Sequence, residues 1–467
     1  MKLKPYPEYK ESGAPWLGKV PERWEVRKTK YLFSERVQKG FPDEPLLAAT
    51  QTKGVVPKTH YETRTVTAQK DLHLLKLVKK GDFVISLRSF QGGIELAHFQ
   101  GIISPAYTVM ISYSMVDTGY FKHLAKSKPF IGLLKTCVTG IREGQNIDYE
   151  LLRRNRLPLP HINEQTQIAR LLVYKSSQIS RFISAKKRMI ELLKEQKQAI
   201  INDAITGKID VRTAKPYQKY KESGVEWMGK VPEGWKVLQI RRVTSKVKTG
   251  GTPKGADNKY FTENGLNWYT PGDFDDVIYV RNSERQLSEL GAQSVMLFPA
   301  NSVLMVGIGA TIGKTAITKQ PCSCNQQINV LVPNSKIQGE FLLFCLLMMK
   351  HFITKCGKFT TLPIVNQDDT KTLRIPAPSI DVQAEILQFI AEKTTTLDLA
   401  ISRAKSEISL IHEYRTRLIA DVVTGKVDVR DIEVPEVTEQ EHIDSESNAE
   451  EVEKITEELQ ETVESQI

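Results

Sequence analysis

The sequence predicts a mixed α/β protein in which two globular modules are joined by two long antiparallel coiled-coil helices, its halves forming a pseudo-twofold tandem repeat. Three observations predict it. The chain is written twice, each copy closes on a long seven-residue apolar periodicity, and each copy's middle alternates short β-rich runs with glycine turns.

The repeat comes first, because a missed duplication spoils every later assignment. YKESGAPWLGKVPERWEV (Tyr9 to Val26) returns as YKESGVEWMGKVPEGWKV (Tyr220 to Val237), identical at 13 of 18 positions with an offset of 211. AITGKIDVR (Ala204 to Arg212) returns as VVTGKVDVR (Val422 to Arg430), identical at 6 of 9 with an offset of 218. Shared ends around unlike middles imply two modules that do the same job on different targets, held in a common frame. Trp16, Trp24, Trp227 and Trp235 recur in the shared opening motif, so they read as packing anchors rather than as determinants of target choice.

The helices follow from the closing segments. Prolines in LPLP (Leu157 to Pro160) and IPAP (Ile375 to Pro378) give way to long stretches free of proline. In the second copy apolar residues recur at Leu387, Ile390, Leu397, Ile401, Ala404, Ile408, Ile411, Leu418 and Val422. The same frame in the first copy gives Ala169, Leu172, Ile179, Ile183, Ile190, Leu193, Ile200 and Ala204. That period marks a coiled coil, and polar interruptions at Ser176, Lys186, Lys197, Thr394 and Arg415 would fix register and partner. A single helix can bury such a stripe only against another, and an antiparallel pair within the chain is the expectation. Forty residues would span about 60 Å.

The divergent middles carry runs such as DFVISL (Asp82 to Leu87), YTVMI (Tyr107 to Ile111), SVLMV (Ser302 to Val306) and INVLV (Ile328 to Val332), which read as strands. The expected layout is a first module over 1–160, a first spacer helix over 161–212, a second module over 213–378, a second spacer helix over 379–430, and an acidic tail over 431–467. The tail, rich in Glu, Ser and Thr, is expected to be disordered or helical only at its end.

At 467 residues, 40% hydrophobic and 26% charged, the chain reads as a soluble protein of two to four domains. The run FLLFCLLMM (Phe341 to Met349) is about half of what a bilayer-spanning helix needs, and MKLKPYPEYK has no apolar signal region. Five cysteines without CxxC spacing fit neither a disulfide framework nor a zinc site, so a reducing cytoplasm is the expectation. The net charge of +10 is uneven: the tail holds fourteen Asp or Glu and one Lys, which leaves +23 on the other 430 residues. That balance suggests a polyanionic partner such as nucleic acid.

VGIGATIGKT (Val306 to Thr315) invites a nucleotide-binding reading and fails it. The phosphate-loop template needs glycine where Ile308 stands, and the dinucleotide template needs glycine where Ile312 stands. At an offset of 220 Gly313 instead aligns with Gly93 in SLRSFQGGIEL (Ser86 to Leu96), so a shared strand, glycine turn, strand unit explains both.

The ordered combination resembles the type I restriction-modification specificity subunits: duplicated VPxxW motifs, a PxP turn, NEQTQI (Asn163 to Ile168), a long helix and TGKxDVR. The resemblance covers about residues 9 to 430. IGKTAI and NQQINVLVP (Asn325 to Pro333) are also similar to phrases of that family, whereas DVQAEI (Asp381 to Ile386) departs from the Glu-Gln pair of the first copy. The resemblance implies a non-catalytic chain with two target recognition domains, each reading half of a split asymmetric site in double-stranded DNA, and a helical pair that sets the gap. It implies modification (methyltransferase) subunits, expected to be two, and restriction (translocase and nuclease) subunits as partners. It also implies that this chain binds no cofactor itself, with S-adenosylmethionine, ATP and Mg held by those partners.

Base reading needs donors and acceptors on loops, whereas Lys and Arg on phosphates add affinity without sequence information. The first module's candidates are Thr50, Gln51, Thr52, Lys53, Arg88, Ser89, Gln91, Arg142, Gln145 and Asn146. The second module's are Lys248, Thr249, Thr252, Lys254, Asn258, Lys259, Lys314 and Thr315. No catalytic or metal-ligating set is expected. Two other readings stay open: a coiled-coil scaffold without DNA preference, and a P-loop-like nucleotide-binding protein.

Overall fold

Two helices of 44 residues each, Ile162–Ile205 and Ile380–Val423, form the frame of this computed structural model. It describes residues 4–51, 53–60, 71–139, 146–253, 258–274, 278–356, 358–359, 363–436 and 438. The chain divides into two compact units, one of Met1–Arg188 with Arg403–Ile467 and one of Met189–Ser402. Each unit therefore holds part of both helices.

Within each unit the two helices run antiparallel, as their periodicity predicts. In the first, Ile168, Leu171 and Leu172 share a core with Leu418, Val422 and Val423, and Lys186 Nζ meets Glu407 Oε2 at 2.5 Å. In the second, Ile201, Ala204 and Ile205 share a core with Ile386 and Ile390, and Lys197 Nζ meets Asp398 Oδ1 at 2.7 Å. Numbers fall on one helix as they rise on the other. Towards the ends the buried stripe shifts by one residue, to Ile168, Ile201 and Ile386 in place of Ala169, Ile200 and Leu387. There the helix packs on its globular module as well as on its partner, and the wider contact turns a different residue inwards.

Each helix stops at the glycine of its TGK motif. Gly207 and Gly425 have φ of +71° and +80°, and the N–H groups of Lys208 and Lys426 reach back to the carbonyls of Asp203 (2.9 Å) and Asp421 (2.8 Å). This is a Schellman cap, which needs a left-handed residue at that position. The glycines are also seats. A Cβ on Gly425 would lie 2.4 Å from Pro21 Cδ and 3.1 Å from the Trp24 ring, and one on Gly207 would lie 2.6 Å from Pro232 Cδ and 2.9 Å from the Trp235 ring. The closing motif of each copy therefore sits on the opening motif of the other.

The helix starts are matched too. Gln165 and Gln383 are fully buried. Gln165 donates Nε2 to Pro160 O (2.8 Å) and Met115 O (2.9 Å), and its Oε1 accepts from Asp117 N at 2.8 Å. Gln383 makes the same set with Pro378 O, Lys336 O and Gln338 N. The glutamine of the Glu-Gln pair is thus present in both copies, and only the glutamate is lost. Glu164 accepts from Tyr6 OH at 2.5 Å and Trp24 Nε1 at 2.9 Å, contacts that Val382 cannot make.

The modules share a four-stranded antiparallel sheet. In the first its order is Phe33–Glu35, Thr108–Ser112, Phe83–Ile85, Glu95–Leu96, and in the second Thr244–Thr249, Ile328–Pro333, Val303–Val306, Thr315–Ile317. Around it the modules differ. The first adds the hairpin Leu47–Thr50 and Gly54–Pro57, and the second adds a mixed sheet of Phe261–Thr262, Gln286–Leu287, Leu266–Tyr269 and Cys322–Cys324. The run FLLFCLLMM lies mostly in the helix Gly339–Met348, whose Phe341 to Leu346 are all buried, as expected of a helix apolar on every side. Ile432 and Val434 pack on the first unit's core, and Gln167 Nε2 donates to Ile432 O. The rest of the acidic tail, 437 and 439–467, lies outside the described residues.

The polar interruptions Ser176 and Thr394 are buried at the helical seam. His412 is half-buried near Arg415 and Lys187, and burial followed by those two cations pushes its pKa below the usual 6.5.

Two outcomes follow. Gly425→Ala forces a left-handed alanine against Pro21 and should cost about 2 kcal/mol or more in denaturant unfolding, as should Gly207→Ala. For His412 the folded pKa lies below the unfolded one, so its neutral form's stability is intact above pH 6.5 and is lost as pH falls below it. His412→Gln should flatten the thermal-stability profile just below about pH 6.5, above the range where carboxylates titrate.

Candidate nucleic-acid interface

In the first module the strand Phe83–Ile85 runs into a short turn of helix, Ser89–Gly92, before Glu95–Leu96 returns. Gly93 ends the turn at φ +88°, where a Cβ would meet Ala125 O at 2.2 Å. Gly313, its aligned partner, has φ +79° and packs on Lys350. The turns expected to be equivalent are built at the same end of equivalent strands.

The hairpin Leu47–Thr50 and Gly54–Pro57 leans on this turn: a Cβ on Gly92 would lie 2.9 Å from Gln51 Cδ. Thr50 is buried, and its hydroxyl donates to Gly54 O (2.9 Å) while accepting from Lys53 N (2.9 Å), which folds the hairpin tip. Ser89 is buried likewise, its Oγ accepting from Ser86 N at 2.9 Å. Gln51, Lys53, Arg88 and Gln91 are exposed around these two fixed hydroxyls. Asn146 is exposed in a separate hairpin, Val138–Thr139 with Asn146–Ile147. Thr52, Arg142 and Gln145 lie outside the described residues.

In the second module Thr249 Oγ1 donates to Asn329 Oδ1 (2.8 Å), and Thr252 Oγ1 donates to Gln326 Oε1 (2.6 Å). Gly307 N donates to Gln327 O at 2.8 Å and Gly250 N to Ile328 O at 3.0 Å, so the segment after Thr249 and the glycine turn both rest on residues 325–329. Lys248 and Thr252 are exposed there. Asn258 and Lys259 are placed elsewhere, in the turn Asn258–Tyr260 beside Ser288, whose Oγ donates to Lys259 O at 2.7 Å. Lys314 is half-buried with Nζ on Phe274 O at 3.2 Å, and Thr315 is buried with its hydroxyl on Gly313 O. Lys254 and the side chain of Asn258 lie outside the described residues.

Gln326 and Gln327 were not among the sequence candidates, although they sit with Thr252 at the sheet end. The signal was available: neighbouring antiparallel strands put the start of INVLV beside the end of SVLMV, and hence NQQ beside the glycine turn. Asn325 Oδ1 accepts from Gln327 N (3.0 Å) while its Nδ2 donates to Gln327 Oε1 (2.9 Å), leaving the Gln327 amide as a donor.

The same turn does not cradle phosphate. A phosphate loop keeps successive backbone N–H groups free, whereas those of Val306, Gly307, Ile312, Gly313 and Lys314 donate to Lys314, Gln327, Gly309, Val306 and Thr311 carbonyls. Burial pushes the Cys322 thiol up to about 12 and the Cys324 thiol well above its ordinary value, so neither supplies a thiolate nucleophile. Among the described residues no group of His, Cys, Asp and Glu could hold a metal ion.

Residues 232–408 match the family model described as the type I restriction modification DNA specificity domain. The chain is 21% identical over 435 residues to the type I restriction enzyme MjaVIII specificity subunit of Methanocaldococcus jannaschii, covering 89% of this chain and 95% of that protein. It is 28% identical over 179 residues to the MjaIX specificity subunit of the same organism, a match spanning 37% of this chain and 40% of that one. A solved chain, from work on complex assembly and conformational transition of the type I R-M system, superposes with a TM-score of 0.61 at 15% identity. That superposition covers 87% of this chain and 99% of the other.

Proposed function

We propose that this chain, which belongs to the type I restriction-modification specificity subunits, reads a bipartite asymmetric DNA site, one half with each module. It is the non-catalytic subunit: it supplies the address, and partner subunits supply the chemistry. The carrying observation is that two modules with one sheet order bear unlike loops at the same end of that sheet. A frame used twice with different polar side chains is what reading two different half-sites requires. The surplus of +23 outside the tail supports a phosphate backbone as the surface approached.

On this reading the exposed Gln51, Arg88 and Gln91 face the first half-site, and Thr252, Gln326 and Gln327 the second. Lys53 and Lys248 contribute phosphate contacts. Two modification subunits would carry S-adenosylmethionine for adenine methylation, and restriction subunits would carry ATP and Mg for translocation and cleavage. The paired helices set the gap between half-sites. Among the described residues no helix is long and apolar enough to cross a membrane, and the proposed place of work is the DNA of the cytoplasm.

Replacing residues 27–150 by the matching segment of a relative should change only one half of the methylated site, read by methylome sequencing; changes in both halves would end the modular reading. Matched insertion of one heptad in each long helix should widen the unspecified gap by about 3 base pairs, since seven residues add about 10 Å and a base pair about 3.4 Å. An unchanged gap would remove the helices from that role.

A further inference from the structure

We infer that Lys126 is a positioning residue for the first half-site, an ammonium that clips the first module's two reading turns to each other. The inference rests on the proposed function. Nζ of Lys126 donates to Gln51 O at the hairpin tip (2.8 Å), to Gly92 O at the end of the glycine turn (3.0 Å), and to the carboxylate of Glu95 on the adjoining strand. An ammonium has three donors, and these three acceptors use all of them. None is left over for a phosphate oxygen.

The clip is anchored from both sides. Glu95 is 3% exposed, so its carboxylate needs a cation beside it, and Lys126 supplies one. Lys126 itself follows Ala125, whose carbonyl closes on Gly93 and accepts from Ile94 N. The ion pair with the buried Glu95 carboxylate holds the ammonium where both turn carbonyls accept from it. The exposed Gln51 and Gln91 are then presented from two loops that move as one.

The second module lacks the device. Glu95 pairs across the sheet with Val84, and the corresponding pair there is Ala316 with Leu304. Lys350, which packs on Gly313 as the segment Ala125–Lys126 packs on Gly93, is exposed and has no side-chain partner among the described residues. The turns of that module are joined instead through residues 325–329. Loss of the Lys126 ammonium should therefore affect one half-site and spare the other.

The test uses the chain assembled with its modification subunits and reads methylation over a library randomised in both half-sites. Lys126→Met should relax base discrimination in one half by about tenfold while leaving the other within twofold, and Lys126→Arg should recover much of it. The double variant Lys126→Met with Glu95→Leu removes the buried carboxylate together with its lysine and keeps the module folded, which its unfolding midpoint reports. Continued relaxation in that variant supports positioning; return to full discrimination overturns it. An even loss of affinity over all sequences, with a shallower salt dependence, would make Lys126 a phosphate contact and also overturn it. If the unaltered complex shows no bipartite preference, the proposed function fails first, a result distinct from failure of the clip.

Discussion

The architecture depends on two glycines pressed against two prolines and two tryptophans. Gly425 on Pro21 and Trp24, and Gly207 on Pro232 and Trp235, leave no space for a Cβ, and each glycine also ends a long helix in the left-handed conformation. One residue thus stops the helix, turns the chain and docks that end on a module. The energy comes from burying the indole rings, the largest apolar surfaces a side chain offers. Because the closing motif of one copy meets the opening motif of the other, neither motif is useful without the second copy. This explains why VPxxW and TGKxDVR are repeated together while the residues between them drift.

That seat constrains the modules at their base and leaves the far end of each sheet free to vary. The buried glutamines Gln165 and Gln383 extend the constraint by tying the helix start to the preceding proline turn and to the start of a module helix, Thr118–Ala125 in the first and Gly339–Met348 in the second. All their amide bonds are made to backbone, so they place no demand on which side chains surround them. The copies diverge through the whole of their middles, while these backbone contacts and the strand order of the sheet are kept. A protein that must meet many DNA sequences with one body would be expected to distribute its constraints in this way.

Much of the frame was legible in the sequence because it rests on periodicity and identity, which a chain displays directly. The heptads gave two antiparallel helices, and the stripe erred by one residue only where helices meet modules, at Ile168, Ile201 and Ile386. The loss of the Glu-Gln pair in the second copy was over-read, since position alone shows that Gln383 does the work of Gln165. The loops were less legible. Thr50, Ser89 and Thr315 look like exposed hydroxyls in a sequence, yet all three are buried and spend their oxygens on folding their own turns. Sequence lists polar residues near glycines but does not say which of them hold the turn and which it presents. Lys314 is a further case, a cation beside a glycine turn whose ammonium is held by a backbone carbonyl.

The division between holding and presenting is also a statement about discrimination. A side chain distinguishes bases only if its donors and acceptors are fixed before contact, because a mobile amide re-orients to suit whichever edge it meets and forfeits the difference in energy. Gln327 shows how such fixing arises without charge. Its own backbone N–H sets the orientation of Asn325, Asn325 then occupies the Gln327 oxygen, and only the amide hydrogens remain to face outward. The first module reaches the same end by charge, with a buried carboxylate holding an ammonium across two turns. Two unlike chemistries thus hold the turns at equivalent ends of two sheets that share one strand order.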